Sequence, residues 1–94
     1  MPRLPRPPPE RPNAVSVLYF AALRDLAGTG EELVELTALP CPVTALLATV
    51  EQKHAALSGR LAAVRVAVNE EFVELASSVQ AGDVVALIPP VSGG

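Results

Sequence analysis

The last six residues, PPVSGG (89–94), contain the residue types with the clearest chemical potential in this sequence. Pro89 and Pro90 lack the amide donor that a strand ladder needs, so they end the apolar run before them and hold the following residues extended. Gly93 and Gly94 have no Cβ, so this arm is slender enough to thread a narrow channel in another protein. The terminal carboxylate is then an unhindered acyl group, which can be activated by adenylation and captured by a sulfur nucleophile.

Other residues with catalytic potential are few. His54 is the only histidine and falls on the apolar side of a predicted helix, so we interpret it as a partly buried helix residue rather than a base or a ligand. Cys41 is the only cysteine and precedes that helix, where the helix dipole can lower a thiol pKa. A persulfide-forming thiol is conceivable there, but no basic residue is adjacent, and we favour a structural role. No catalytic triad, phosphate-binding loop or metal motif is present, so we expect no bound metal.

Composition divides the chain into a head, a body and the tail described above. Residues 1–13 hold six of the ten prolines and are predicted to be an extended or disordered extension; a Pro-rich ligand and a targeting segment are the alternatives. Residues 14–94 carry 4 basic and 9 acidic side chains, a formal charge of −5. An acidic body argues against nucleic acid as a partner and favours a protein with a basic docking face.

The hydropathy pattern also bears on the compartment. No run of about 18 apolar residues exists, so no transmembrane helix and no membrane partner are expected. The N-terminus lacks the apolar stretch of a secretory signal. A single cysteine cannot form an internal disulfide, which fits a reducing compartment. We therefore expect a cytoplasmic protein.

Periodicity predicts an α+β domain over residues 14–88 with about five strands and one main helix. Apolar positions at i, i+3, i+4 and i+7 indicate a helix that starts at Pro42, extends to Leu57 and ends before Gly59. Short Val-rich and alternating runs indicate strands at 14–22, 31–38, 61–69, 72–75 and 84–88. One helix between the second and third strands predicts a mixed sheet with that helix packed across one face.

The first predicted strand (14–22) and the last (84–88) are apolar on both faces. One helix can cover only one face of the sheet, and parity places Phe20, Ile88 and Phe72 on the other. An exposed apolar patch of this kind is typical of a partner interface. Arg24 is predicted to make a polar contact at its rim.

Three segments resemble a known family: VLYFAALRDLAG (17–28), AVNEEFV (67–73) and GDVVALIPPVSGG (82–94). They resemble the small subunit of molybdopterin synthase, a ubiquitin-like sulfur carrier. The resemblance covers about residues 15–94, and PPVSGG is its most specific part. Only the proline-rich head falls outside it.

The resemblance implies a β-grasp fold and a defined reaction sequence. A ubiquitin-activating-type adenylating sulfurtransferase would use ATP to adenylate Gly94, and a sulfur donor would convert the adenylate to a thiocarboxylate. The tail, Pro89, Pro90, Val91, Ser92 and Gly93, would then insert into the large synthase subunit, and Gly94 would give sulfur to cyclic pyranopterin monophosphate. The synthase would be a heterotetramer of two small and two large subunits. Its catalytic side chains would lie on the large subunit, and the small subunit would bind no cofactor.

Three alternatives stay open at this point. The same fold could serve thiamine synthesis or RNA thiolation. The chain could instead be a protein modifier that forms isopeptide bonds through Gly94. It could also be an interaction domain whose tail has no chemistry.

Overall fold

The computed structural model describes residues 13–90. The predicted head, up to residue 12, and the last four residues of the predicted tail, 91–94, lie outside the described residues. In chain order the described elements are β1 (Ala14–Tyr19), α1 (Ala22–Ala27), β2 (Glu31–Glu35), β3 (Cys41–Pro42), α2 (Val43–Lys53), a 3₁₀ turn (Ala55–Leu57), β4 (Arg65–Val68), β5 (Glu71–Val73), β6 (Ser78–Val79) and β7 (Val84–Ile88).

Five of these strands form one mixed sheet in the order β2-β1-β7-β4-β5. β1 and β7 are parallel, and the other neighbours are antiparallel. The two strands that the sequence showed to be apolar on both faces are β1 and β7, two of the three interior strands with a paired neighbour on each side. β3 and β6 make a separate two-stranded ladder. The predicted α+β architecture, a five-stranded mixed sheet with one main helix, is confirmed.

The core lies between α2 and one face of this sheet. Every position of the predicted helix stripe within α2 is buried: Val43, Leu46, Leu47 and Val50. They pack against alternate residues of β1 and β7, namely Val15, Val17, Tyr19, Val85 and Leu87. Complete burial of one such aliphatic side chain contributes about 1.5–3 kcal/mol, so this layer supplies most of the stability. Tyr19 is the only aromatic residue in it.

The helical region differs in detail from the prediction. α2 ends at Lys53, and His54 is extended (φ −128°, ψ 95°) before a separate 3₁₀ turn that buries Leu57. Residues 22–27 form α1, although the sequence analysis extended the first strand to Ala22 and predicted no helix here. Leu23 anchors this helix in the core, and Gly28 ends it in the left-handed conformation at φ 79°. No helix within residues 13–90 is long and apolar enough to cross a membrane.

The strand boundaries also differ from the predictions. The strand predicted at 61–69 begins only at Arg65, although Leu61 and Val64 are buried in the core. The strand predicted at 31–38 ends at Glu35, and the strand predicted at 14–22 ends at Tyr19. Apolar residues enter a core from connections as well as from strands. Hydropathy therefore indicates burial, whereas ladder hydrogen bonds decide where a strand ends.

Candidate functional site

An apolar groove runs across the sheet face opposite α2. One row of cross-strand partners crosses four strands: Leu18 faces Ala86, Ala86 faces Ala67, and Ala67 faces Phe72. Because the two alanines are short, they form the floor of the groove, and the larger side chains on either side form its walls. Its volume is about 640 Å³, and its lining comprises Leu18, Phe20, Ala67, Asn69, Glu70, Phe72, Val84, Ala86 and Ile88.

The structure brings together the three apolar residues that parity placed on this face. Phe20, Phe72 and Ile88 all line the groove. Phe72 is 59% exposed and Phe20 is 44% exposed, which is unusual for large hydrophobic residues. Their shared exposure follows from the position of the helix, which covers only the opposite face.

Backbone geometry at the end of β1 sets the direction of Phe20. The Phe20 N–H still donates to the Leu87 carbonyl at 3.3 Å, so this residue continues the pairing with β7. Ala21 then adopts φ 52°, ψ −129° and turns the chain into α1. That region is unfavourable for a residue with a Cβ, so the turn stores strain at the edge of the groove.

Arg24 is not among the residues that line the groove. It lies on α1, and its aliphatic stem passes over Gly30, where an added Cβ would come within 3.3 Å of Arg24 Cδ. Its predicted contact at the rim of an interface stays a prediction.

Arg65, which the sequence analysis did not single out, lies outside the groove lining but contacts two residues that belong to it. Its guanidinium carbon lies 4.2 Å from the centre of the Phe72 ring, a cation–π contact. It is also the cross-strand partner of Ile88, at the end of β7. Arg65 and Ala67 are two residues apart in β4, so the alternation of side chains along a strand places both on this face. The contact between Arg65 and Phe72 depends on the register between β4 and β5, and the sequence alone does not show that register.

The tail leaves the sheet beside this groove. β7 ends at Ile88, as the two prolines predict, with Pro89 half-buried and Pro90 exposed. Since Tyr19 pairs with Leu87, Phe20 and Ile88 both lie at the edge of the sheet from which the tail departs. The predicted tail residues Val91, Ser92, Gly93 and Gly94 lie outside the described residues.

A polar cluster lies on the other side of the sheet, at the end of α2. The Tyr19 hydroxyl donates a hydrogen bond to Glu32 Oε1 at 2.5 Å, and His54 Nε2 contacts the same oxygen. The Tyr19 and His54 rings meet edge to face, with centroids 5.8 Å apart. Burial and the Glu32 carboxylate raise the pKa of Tyr19. His54 is thus half-buried in a structural cluster, as predicted, although it follows the helix instead of lying within it.

Cys41 is half-buried on β3, and its burial raises the pKa of the thiol. The thiolate is therefore disfavoured, which supports a structural role for this residue. Within residues 13–90, no group of three His, Cys, Asp or Glu side chains could hold a metal ion.

Comparison with known proteins links the fold and the tail. Residues 17–94 match the ThiS family. The molybdopterin synthase sulfur carrier subunit of Chlamydomonas reinhardtii is 38% identical over 82 residues, which cover 85% of this chain and 98% of that protein.

Solved structures are similar as well. SAMP1 of Haloferax volcanii is 30% identical, with a TM-score of 0.77 and coverage of 86% of this chain and 99% of that one. A complex of subunits 1 and 2 of molybdopterin-converting factor from Helicobacter pylori contains a chain that is 24% identical, with a TM-score of 0.60 and coverage of 86% and 99%. These similarities confirm the ubiquitin-like β-grasp fold, and the chain belongs to the ThiS family, among the molybdopterin synthase sulfur carrier subunits.

Proposed function

We propose that this chain is the small subunit of a molybdopterin synthase and carries its sulfur as a thiocarboxylate on Gly94. The observation that carries the proposal is the PPVSGG sequence, which follows β7 directly beside an exposed apolar groove. The groove offers a docking surface, and the tail offers a reactive end within reach of the docked partner.

Loading needs a separate activating enzyme. The Gly94 carboxylate attacks the α-phosphate of ATP, and pyrophosphate leaves. A sulfur donor then supplies a hydrosulfide equivalent, which displaces AMP and leaves a thiocarboxylate. ATP belongs to the adenylating sulfurtransferase, and the carrier itself binds no cofactor. A cytoplasmic location is part of the same proposal.

Delivery uses the large subunit. The thiocarboxylate tail, residues 89–94, enters its active site. Its sulfur bonds to a carbon of cyclic pyranopterin monophosphate as an oxygen-linked group leaves that carbon, and water then cleaves the acyl C–S bond and returns Gly94 as a carboxylate. Two deliveries complete the dithiolene. The catalytic side chains lie on the large subunit, in a heterotetramer of two small and two large chains. The Helicobacter pylori complex of two molybdopterin-converting factor subunits supports a partner of this kind.

The test is intact mass after incubation with an activating enzyme, ATP and a sulfur donor. We expect one oxygen of the carrier to be replaced by sulfur, and we expect this change to be lost when Gly94 is deleted. Removing residues 2–12 is the matched control at the other end and should leave loading intact. An unchanged mass in a system that loads a known carrier would contradict the proposal.

A protein modifier is the second candidate, favoured by the similarity to SAMP1, whose name elsewhere is small archaeal modifier protein 1. A modifier would form adducts of higher mass on lysines of other proteins. The same Gly94 deletion would abolish both activities, so the adducts, and not the deletion, separate the two candidates.

A further inference from the structure

Arg65 is an isolated positive charge on the apolar face. It is the only lysine or arginine in the seven described strands. It is exposed, and it makes no ion pair with any residue from 13 to 90. The other charged residue that borders the groove is Glu70, in the turn between β4 and β5. An arginine beside the groove has to be explained, because the strand residues that line the groove are all apolar.

The Phe72 ring holds this arginine in place. The guanidinium carbon lies 4.2 Å above the ring centroid, so the planar group covers part of an aromatic surface that is otherwise exposed. Stacking of this kind leaves the N–H donors at the edge of the guanidinium free to bind a second group. Arginine presents these donors as a planar fork, which matches the two oxygens of a carboxylate.

Position relates this charge to the tail. Arg65 is the cross-strand partner of Ile88, the last strand residue before Pro89 and Pro90. A partner that receives the tail must therefore pass close to Arg65. Docking would bury the guanidinium in apolar surroundings, where an unpaired charge is costly.

We propose that Arg65, stacked on Phe72, is a specificity-determining contact of the docking face and pairs with an aspartate or glutamate of the large synthase subunit. This inference rests on the proposed function. The rest of the body is acidic, with 9 acidic side chains against 3 other basic ones in residues 14–94. Because Arg65 is the only basic residue in the described strands, an acidic group on a partner that docks on this face is attracted at Arg65, and one such pair fixes the orientation of docking.

The experiment measures affinity for the large subunit by calorimetry, using the full-length, unloaded carrier at low and high salt. Arg65→Glu should weaken binding about tenfold or more, because it places two carboxylates together. Arg65→Met keeps an unbranched stem on Phe72 and removes the charge, so it should lose less affinity and reduce the salt dependence. Arg60→Glu, a charge reversal at an exposed residue that lies outside the sheet, in the connection after the 3₁₀ turn, is the matched control and should change affinity by about threefold or less.

A charge swap completes the test. Each exposed Asp or Glu near the tail channel of the large subunit is changed to Lys, and one such change should restore affinity for Arg65→Glu. If both Arg65 variants bind like the original chain while Phe20→Arg does not, the docking face stands and this inference is overturned. If the unchanged carrier does not bind the large subunit, the proposed function fails first. Self-association that is abolished by Arg65→Glu would assign the arginine to a homodimer, which also overturns the inference.

Discussion

The hydroxyl of Tyr19 donates a hydrogen bond to Glu32 Oε1 at 2.5 Å, linking β1 to the neighbouring edge strand β2. The two residues are diagonal neighbours, since Glu32 is the direct partner of Val17. His54, just beyond α2, contacts the same carboxylate. One acidic side chain thus connects two strands and the end of the main helix. The residue after Tyr19 is Phe20, so this connection lies next to one wall of the apolar groove.

Acid should destabilise the protein through Glu32. Burial acts to raise the pKa of this carboxyl, but hydrogen bonds from Tyr19 and His54, together with the charges of His54 and Lys53, outweigh burial and hold the pKa below its usual 4.5. A lowered folded-state pKa stabilises the fold fully above pH 4.5, and this stabilisation is lost as the pH falls through the lower folded-state value.

Urea unfolding between about pH 7 and pH 3 measures this dependence. Glu32→Gln should lower stability at neutral pH by about 1.5–3 kcal/mol, because it removes a charged hydrogen-bond acceptor, and should flatten the acid limb of the profile. Glu74→Gln, at an exposed position, is the control and should leave the profile as it is. If the unfolding free energy of the Glu32 variant falls with pH as steeply as that of the original chain, the acid sensitivity does not come from Glu32.

Ala21→Gly should stabilise the protein. Ala21 has φ 52° and ψ −129°, a conformation that costs a residue with a Cβ about 1–3 kcal/mol. Glycine relieves this strain but loses more backbone entropy on folding, so we expect a net gain of about 0.5–2 kcal/mol.

The measurement is the urea midpoint at an unchanged slope. Ala48→Gly, at an exposed position inside α2, is the matched control and should cost about 1 kcal/mol. A loss of stability in Ala21→Gly similar to that in Ala48→Gly would show that the turn is not strained.

Phe20→Arg should weaken binding of the large subunit by about tenfold or more, because it places a charge on the apolar groove at the edge from which the tail departs. Leu75→Arg is a matched control, since Leu75 is similarly exposed but lies beside α2, away from the groove. Calorimetric affinities of the two variants decide the matter, with unfolding curves to show that both are folded. Similar losses in both would mean that docking does not use this face.

The alternation of side chains predicted which apolar residues lie on the uncovered face, whereas the hydropathy pattern did not predict where the strands end. Phe20 and Ile88 could be placed on the uncovered face because side chains alternate along each strand and the helix covers one side. The β4 boundary could not be predicted, since Val64 is buried without a place in the ladder. α1 was missed because its six residues make fewer than two turns and bury only Leu23, which is too little for a periodic signal.

The sequence by itself determined the local properties of this protein: the apolar stripe of α2, the alternating faces of the strands, and the two prolines that end β7 ahead of a Gly-Gly terminus. Each depends on residues close together in the chain. Only the tertiary structure decided that Arg65 lies on Phe72 and that Tyr19, His54 and Glu32 meet at one carboxylate. Those contacts depend on the register between strands and on where α2 ends, and a register is set by the packing of the whole sheet against its helix.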